Sequence, residues 1–118
     1  MGDRGNIKVV DGKSTVYLYT HWNGSDLPSI VREIMQTAPA RHRYLDGPYL
    51  TRILFCGLIE RGGGDFAGEL GYGITAQFNH VDGHDQVLIV NIDKQTVQWN
   101  RGAAETFADF IQPHEPTE

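Results

Sequence analysis

The sequence predicts a single α+β domain: a mainly antiparallel sheet, ββααβββ in order, with two helices packed on one face and a short C-terminal helix. Three observations predict it. Apolar and polar residues alternate on either side of an Asp-Gly pair near the N-terminus, the pattern of a β-hairpin. Two stretches in the first half repeat apolar residues at helical spacing. The second half returns to short β-rich runs separated by turn formers. At 118 residues the chain is sized for one core and not for two. Residues 1–111 are assigned to the domain, and residues 112–118, with two prolines and two glutamates, to a disordered tail.

The elements follow in order. Residues 7–10 and 14–20 are β-rich runs joined by Asp11-Gly12-Lys13, where glycine supplies the positive φ that a tight turn needs. Along the second run Val16, Leu18 and Thr20 share one face, while Tyr17, Tyr19 and His21 share the other. Leu27, Ile30, Val31, Ile34 and Met35 then recur at helical spacing, which predicts a helix from about residue 26 to 37. Ser25 or Asp26 caps it, and Pro28 sits in the first turn, where its missing N–H costs nothing. Ala38-Pro39 ends this helix, and Arg41-His42-Arg43 is expected as a loop.

Asp46 caps a second helix whose buried side is expected to carry Tyr49, Leu50, Ile53, Leu54, Phe55 and Leu58, and which stops at Arg61-Gly62-Gly63-Gly64. Residues 72–78 alternate as a half-buried strand, and residues 79–85 turn the chain. Residues 86–92 are apolar on both faces, as in a central strand covered on both sides. Residues 96–100 pair back, and 103–111 make a final helix with Phe107, Phe110 and Ile111 on one side. A stripe of that kind on so short a helix needs something to pack on, and a homodimer is one solution. The expected core joins Leu27, Ile30, Val31, Ile34, Leu50, Ile53, Leu54, Leu58, Ile74, Leu88 and Val90.

Composition narrows the function classes. Ten Lys plus Arg against fifteen Asp plus Glu give a net charge of -5, so a long-range grip on duplex DNA or an anionic membrane surface is not expected. A local cluster of arginines remains able to bind one small anion. The single cysteine, Cys56, excludes an internal disulfide and fits a reducing compartment. No apolar run reaches membrane-spanning length and the N-terminus lacks the apolar core of a signal peptide, so a cytoplasmic protein is expected.

The strongest site signal lies at residues 17–28, where strand passes into helix. His21, Trp22, Asn23 and Gly24 stand where small turn formers are usual. A helix start presents free N–H groups and partial positive charge, which suits an anion. His21 adds a donor, Trp22 a stacking face, and Arg4 joins them if the N-terminus packs against the same edge. The competing reading is structural: Trp22 staples helix to sheet and His21 bonds a backbone carbonyl. Asp26 also competes for the same N–H groups.

At Gly2-Asp3-Arg4-Gly5-Asn6-Ile7 and Val16-Tyr17-Leu18-Tyr19-Thr20-His21-Trp22 the chain resembles small proteins of bacteriophages, prophages and some prokaryotes. These open with an Arg-containing cap and run through a hairpin into a Tyr-x-His-Trp-x-Gly segment. The likeness covers about the first thirty residues well and the Asp46-Gly47-Pro48-Tyr49-Leu50 helix start less well. It carries no catalytic assignment. It implies a phage-associated accessory protein in the host cytoplasm, of a kind that acts against host defence by blocking a defence protein or sequestering a nucleotide signal.

Other clusters carry weaker signals. Arg41-His42-Arg43-Tyr44, with Arg52 and Arg61, has arginines able to fork onto phosphate oxygens and a Tyr44 ring able to stack on a base, although an exposed loop explains the same letters. His80 and His84 with Asp82 and Asp85 have metal-ligating side chains, but Asp82-Gly83 makes a hairpin turn the better reading. Cys56 is expected as a buried, inert thiol. The glycines after Arg61 lack the Lys-Ser/Thr of a phosphate-binding loop, and no cofactor motif is present.

The expectation is therefore a binder rather than an enzyme. Arg4, Tyr19, His21, Trp22, Asn23, Gly24, Arg41 and Arg43 would hold a small anionic, nucleotide-like ligand. The alternative is an inhibitor of a host defence protein, similar in action to anti-CRISPR proteins, and a His21-assisted phosphodiesterase comes third.

Overall fold

The computed structural model describes residues 3–61, 71–76 and 86–112. They form an α+β unit around one six-stranded sheet of order β3-β2-β1-β4-β5-β6. The hairpin strands are β1 (Gly5–Asp11) and β2 (Ser14–Thr20), in antiparallel register with Ile7 opposite Leu18. Gly12 takes the turn at φ 63°, the left-handed conformation expected of the Asp-Gly pair.

Helices come next. A 3-10 turn at Gly24–Asp26 leads into α1 (Leu27–Gln36). The chain does not enter a loop after Ala38-Pro39. Thr37 caps a short α2 (Ala38–Arg41) with Pro39 in its first turn, so that Arg41 ends a helix. Thr37, extended at ψ 152°, ends α1, and Pro39 suits the start of α2 because the N–H it lacks would have no partner there. The long α3 (Gly47–Arg61) follows, its first turn held where the Tyr49 amide donates to Asp46 Oδ1 at 3.3 Å.

The remaining strands are β3 (Tyr72–Thr75), β4 (Gln86–Asn91), β5 (Thr96–Trp99) and the two-residue β6 (Glu105–Thr106), before α4 (Phe107–Phe110). The order is therefore ββαααββββα and departs from the expected ββααβββ in three places. α2 is added, β6 is added, and the final helix covers only the second half of the expected residues 103–111. Thr106 explains the last difference: its hydroxyl accepts from the Asp109 amide at 3.1 Å and fixes the helix start there.

The sheet is mixed rather than purely antiparallel. Four of its pairings are antiparallel, but β1 and β4 run parallel, with Ile7 beside Leu88 and Val9 beside Val90. This register puts Ile7, Val9, Leu18, Leu88, Val90 and Val97 on one face, all buried against Leu27, Val31, Ile34 and Met35 of α1 and Leu50, Leu54 and Leu58 of α3.

Three core expectations are corrected. Ile74 is 56% exposed, because β3 is a short outer strand beyond the reach of α1 and α3. Tyr49 is exposed on the outer side of α3, and Cys56 is exposed on the same helix rather than buried. Ile30 and Ile53 pack on the margin of the core.

The apolar C-terminal stripe is satisfied within its own chain. Phe107 and Phe110 are buried, Tyr44 meets Phe107 edge-on at 5.1 Å, and Arg32 lies 4.6 Å over the Phe110 ring. Arg32 Nε also donates to the Phe110 carbonyl at 2.7 Å, and Gln36 Nε2 to that of Ile111 at 2.6 Å. The motive for self-association through this stripe is thereby removed. Gln112, placed in the tail from sequence, still bonds the Asp109 carbonyl. Residues 113–118 and the expected turn at 79–85, with its two histidines, lie outside the described residues. Among the described residues no helix is long and apolar enough to cross a membrane.

Candidate functional site

The junction after β2 is shaped by Thr20 and closed by Asp3. Thr20 is buried, and its hydroxyl faces the amides of Trp22 and Asn23, each at 3.4 Å, bending the chain as a hydroxyl-capped turn does. Asp3 threads through the bend. Its amide donates to the His21 carbonyl at 2.8 Å, and its own carbonyl accepts from the Gly24 amide at 2.6 Å. Gly24 is required there: a Cβ would fall 2.4 Å from the Arg4 carbonyl oxygen. The backbone of Arg4 thus packs directly on Gly24.

The Asp3 carboxylate then takes the place of a ligand. Oδ2 accepts from the Ser25 amide at 3.0 Å and from the Ser25 hydroxyl, while Oδ1 accepts from Gln86 Nε2 at 2.8 Å. The Ser25 hydroxyl, then the Ser25 amide, hold this carboxyl below the usual carboxylate range. The expected competitor, Asp26, makes no side-chain cap bond. The turn that leads into α1 thus holds a carboxylate supplied by this chain itself.

The aromatic side chains are placed differently. Tyr19 Oη and His21 Nδ1 are 2.9 Å apart, which orients the imidazole. Trp22 meets the His21 ring edge-on at 4.4 Å and is 54% exposed, so it does not staple the helix to the sheet. The backbone of His21 is pinned by donation to the Gly71 carbonyl at 3.0 Å, and Asn23 Nδ2 donates to Tyr72 Oη at 3.1 Å. Beside them a shallow hollow of about 370 Å³ is lined by Tyr19, Gly73, Ile74 and Thr75. Tyr19, His21 and Trp22 thus form a shelf of rings at the end of β2, whereas Tyr72 and Ile74, opposite Thr20 and Leu18, belong to the other face of the sheet.

Of the residues singled out from sequence, Tyr19, His21, Trp22, Asn23 and Gly24 come together here, with the backbone of Arg4 against Gly24. Arg41 and Arg43 do not. They follow the far end of α1, which at ten residues spans about 15 Å. Arg43 lies 4.4 Å over the ring of Tyr49 and 3.4 Å from Asp46. Tyr44 is engaged within the fold: its hydroxyl donates to the Met35 carbonyl at 2.6 Å and its ring meets Phe107 edge-on. Burial raises that phenol above its ordinary value, against the opposing pull of Arg41.

Sequence reasoning missed Asp3, Tyr72 and Ile74 as members of the junction. Asp3 was recognisable as an acid, but its pairing with Ser25 is a long-range contact. Tyr72 and Ile74 arrive through the register that sets Tyr72 opposite Thr20 and Ile74 opposite Leu18. Among the described residues no three His, Cys, Asp or Glu side chains group as metal ligands. No protein-family model, no curated protein and no solved structure matches the chain.

Proposed function

We propose that the protein is a phage-type accessory protein that acts against host defence by binding, not turning over, a small nucleotide-like ligand on the shelf of Tyr19, His21 and Trp22. The observation that carries this reading is the exposed indole of Trp22, set edge-on to a tethered imidazole, next to a 370 Å³ hollow lined by Tyr19. A planar base stacks on such a ring at low entropic cost, and the hollow has the volume of a small-molecule pocket. Because the Asp3 carboxylate takes the Ser25 amide, affinity comes from stacking and His21. Arg41 and Arg43 belong to another surface.

A second reading is that the shelf inhibits a host defence protein by direct contact. It is favoured by Trp22, more than half exposed, since an exposed aromatic side chain also makes protein contacts.

Incubation of the protein with a nucleotide and cyclic-nucleotide panel separates the readings. After incubation, the free solution and the heat-released fraction are compared by chromatography. Retention without conversion, lost in Trp22→Ala with little change in melting, supports sequestration. Conversion makes the protein an enzyme. Neither outcome with the whole panel removes the ligand reading and leaves the protein contact.

A further inference from the structure

The bend between β2 and α1 carries a chemically reactive pair of residues. Of the five asparagines in the chain, Asn23 alone is followed by glycine. In an Asn-Gly pair the side-chain amide is open to attack by the next backbone nitrogen, because glycine has no Cβ to shield that nitrogen. The attack closes a succinimide ring. The Gly24 nitrogen loses its proton to solvent base and bonds to Asn23 Cγ, the Cγ–Nδ2 bond breaks, and ammonia leaves. Water then opens the ring at either carbonyl, and position 23 becomes aspartate or isoaspartate.

The folded bend opposes each part of that reaction. Asn23 stands at φ -120° and ψ 25°, which turns the Gly24 nitrogen away from the Asn23 side chain. The peptide plane between the two residues is held at both ends. The Gly24 amide donates to the Asp3 carbonyl at 2.6 Å, and the Asn23 carbonyl accepts from the Asp26 amide at 3.0 Å. Asn23 Nδ2, the nitrogen that would leave, donates to Tyr72 Oη at 3.1 Å. The bond on the attacking nitrogen comes from Asp3, and the Asp3 carboxylate is anchored in turn on Ser25 and Gln86. Release of Asp3 therefore frees the Gly24 nitrogen and lets the Asn23 backbone rotate.

We infer that Asn23-Gly24 is a modification site gated by the docking of Asp3: the amide persists while Asp3 is seated and converts to aspartate or isoaspartate when Asp3 lifts away. Conversion to isoaspartate runs one way. Isoaspartate carries the main chain through its side-chain carbons, which puts an extra backbone atom immediately before Gly24. The bend has no room for it, since even a Cβ on Gly24 would fall against the Arg4 carbonyl and 2.8 Å from the Asp3 carbonyl oxygen. Once the backbone has been rerouted, Asp3 does not return to its seat. The product also places a carboxylate next in sequence to Trp22, beside the ring shelf.

The test keeps the full chain in warm, mildly alkaline buffer and follows its tryptic peptide 14–32 by chromatography and mass spectrometry. Conversion is read as the mass gain of amide to acid, and isoaspartate by its separate elution. Each rate is divided by that of the same chain unfolded in guanidinium chloride. The native parent is expected to convert about a hundredfold or more slower than its unfolded form. Asp3→Asn is expected to convert about tenfold faster than the native parent, as weakened hydrogen bonds to a charged group imply. Ser25→Ala, which removes one partner of the same carboxylate, is expected to act in the same direction. Tyr44→Phe loses a hydrogen bond at the far end of α1 and is expected to keep the parent's rate. Isoaspartate chains, separated by ion exchange, are expected to be cut by trypsin after Arg4 faster than the parent.

No conversion in the unfolded chain would remove the modification site. Equal rates in the native and unfolded parent, or parent rates in both Asp3→Asn and Ser25→Ala, would show that Asp3 gates nothing. Equal acceleration by Tyr44→Phe and Asp3→Asn would place the reaction in the globally unfolded chain and overturn the gate. Isoaspartate chains cut after Arg4 no faster than the parent would show that Asp3 does return.

Discussion

Asp3 and Ser25 are joined twice: Oδ2 of the carboxylate accepts from both the amide and the hydroxyl of Ser25. The bond locks the segment before β1 onto the turn that starts α1, and it spends the anion-binding capacity of that turn inside the molecule.

Folding stability should therefore depend on acid through Asp3. Its carboxyl is held below the ordinary value of 3.8 by Ser25, so folding favours the ionised form. The stabilisation is present above pH 3.8 and is lost as the pH falls through the lowered folded value. Asp3→Asn should melt lower than the parent near neutral pH and converge with it in acid. Calorimetric scans from pH 2 to 7 check this, and parallel pH profiles for the two proteins would falsify it.

Gly24→Ala should destabilise the fold although it adds only a methyl group. The new carbon would meet the Arg4 carbonyl at 2.4 Å, backbone against backbone, and no rotamer relieves it. A cost of about 1–3 kcal/mol is expected, the range for overpacking a tight site. Urea denaturation measures it, and a change within about 0.5 kcal/mol would show that the N-terminal segment lifts away freely.

Leu54 and Ile74 make a contrast. Leu54 is fully buried under the sheet, and Leu54→Ala should cost about 2–5 kcal/mol. Ile74, on the outer strand, should lose less than about 1 kcal/mol on the same truncation. Equal costs in denaturant titrations would place β3 deeper in the molecule than the register with β2 allows.

Tyr44→Phe removes one hydroxyl and keeps the ring on Phe107. The Met35 carbonyl then loses its donor, which should cost about 1 kcal/mol and lower the melting temperature by a few degrees. An unchanged melting temperature would mean that water replaces the hydroxyl at no cost.

The fold was legible where the cause is local. The Asp11-Gly12 turn needs positive φ, the spacing of Leu27, Val31 and Ile34 needs a helix, and Asp46 caps α3, so those elements fall where expected. Pro39 misled because proline after a helix usually means an exit, whereas Thr37 beside it caps a new helix. Tyr49 counted as apolar by residue type, yet the face of α3 it occupies turns outward. The parallel pairing of β1 with β4 has no short-range signature, because nothing near Ile7 announces Leu88. At the junction the crowding of His21, Trp22, Asn23 and Gly24 was visible as a pattern. The occupation of its amides by Asp3 was not, since it depends on where a distant backbone passes.

The central place of β1 has a consequence for how the molecule is made. Its outer neighbour β2 leaves the ribosome at once, but β4, the strand on its other side, emerges only after three helices and β3. Until then the hairpin presents an unpaired edge, and Ile7 and Val9 lack half of their cover. The sheet cannot close on a growing chain until β4 has emerged. A chain interrupted before residue 86 should behave as sticky, unfolded material rather than as a smaller stable domain.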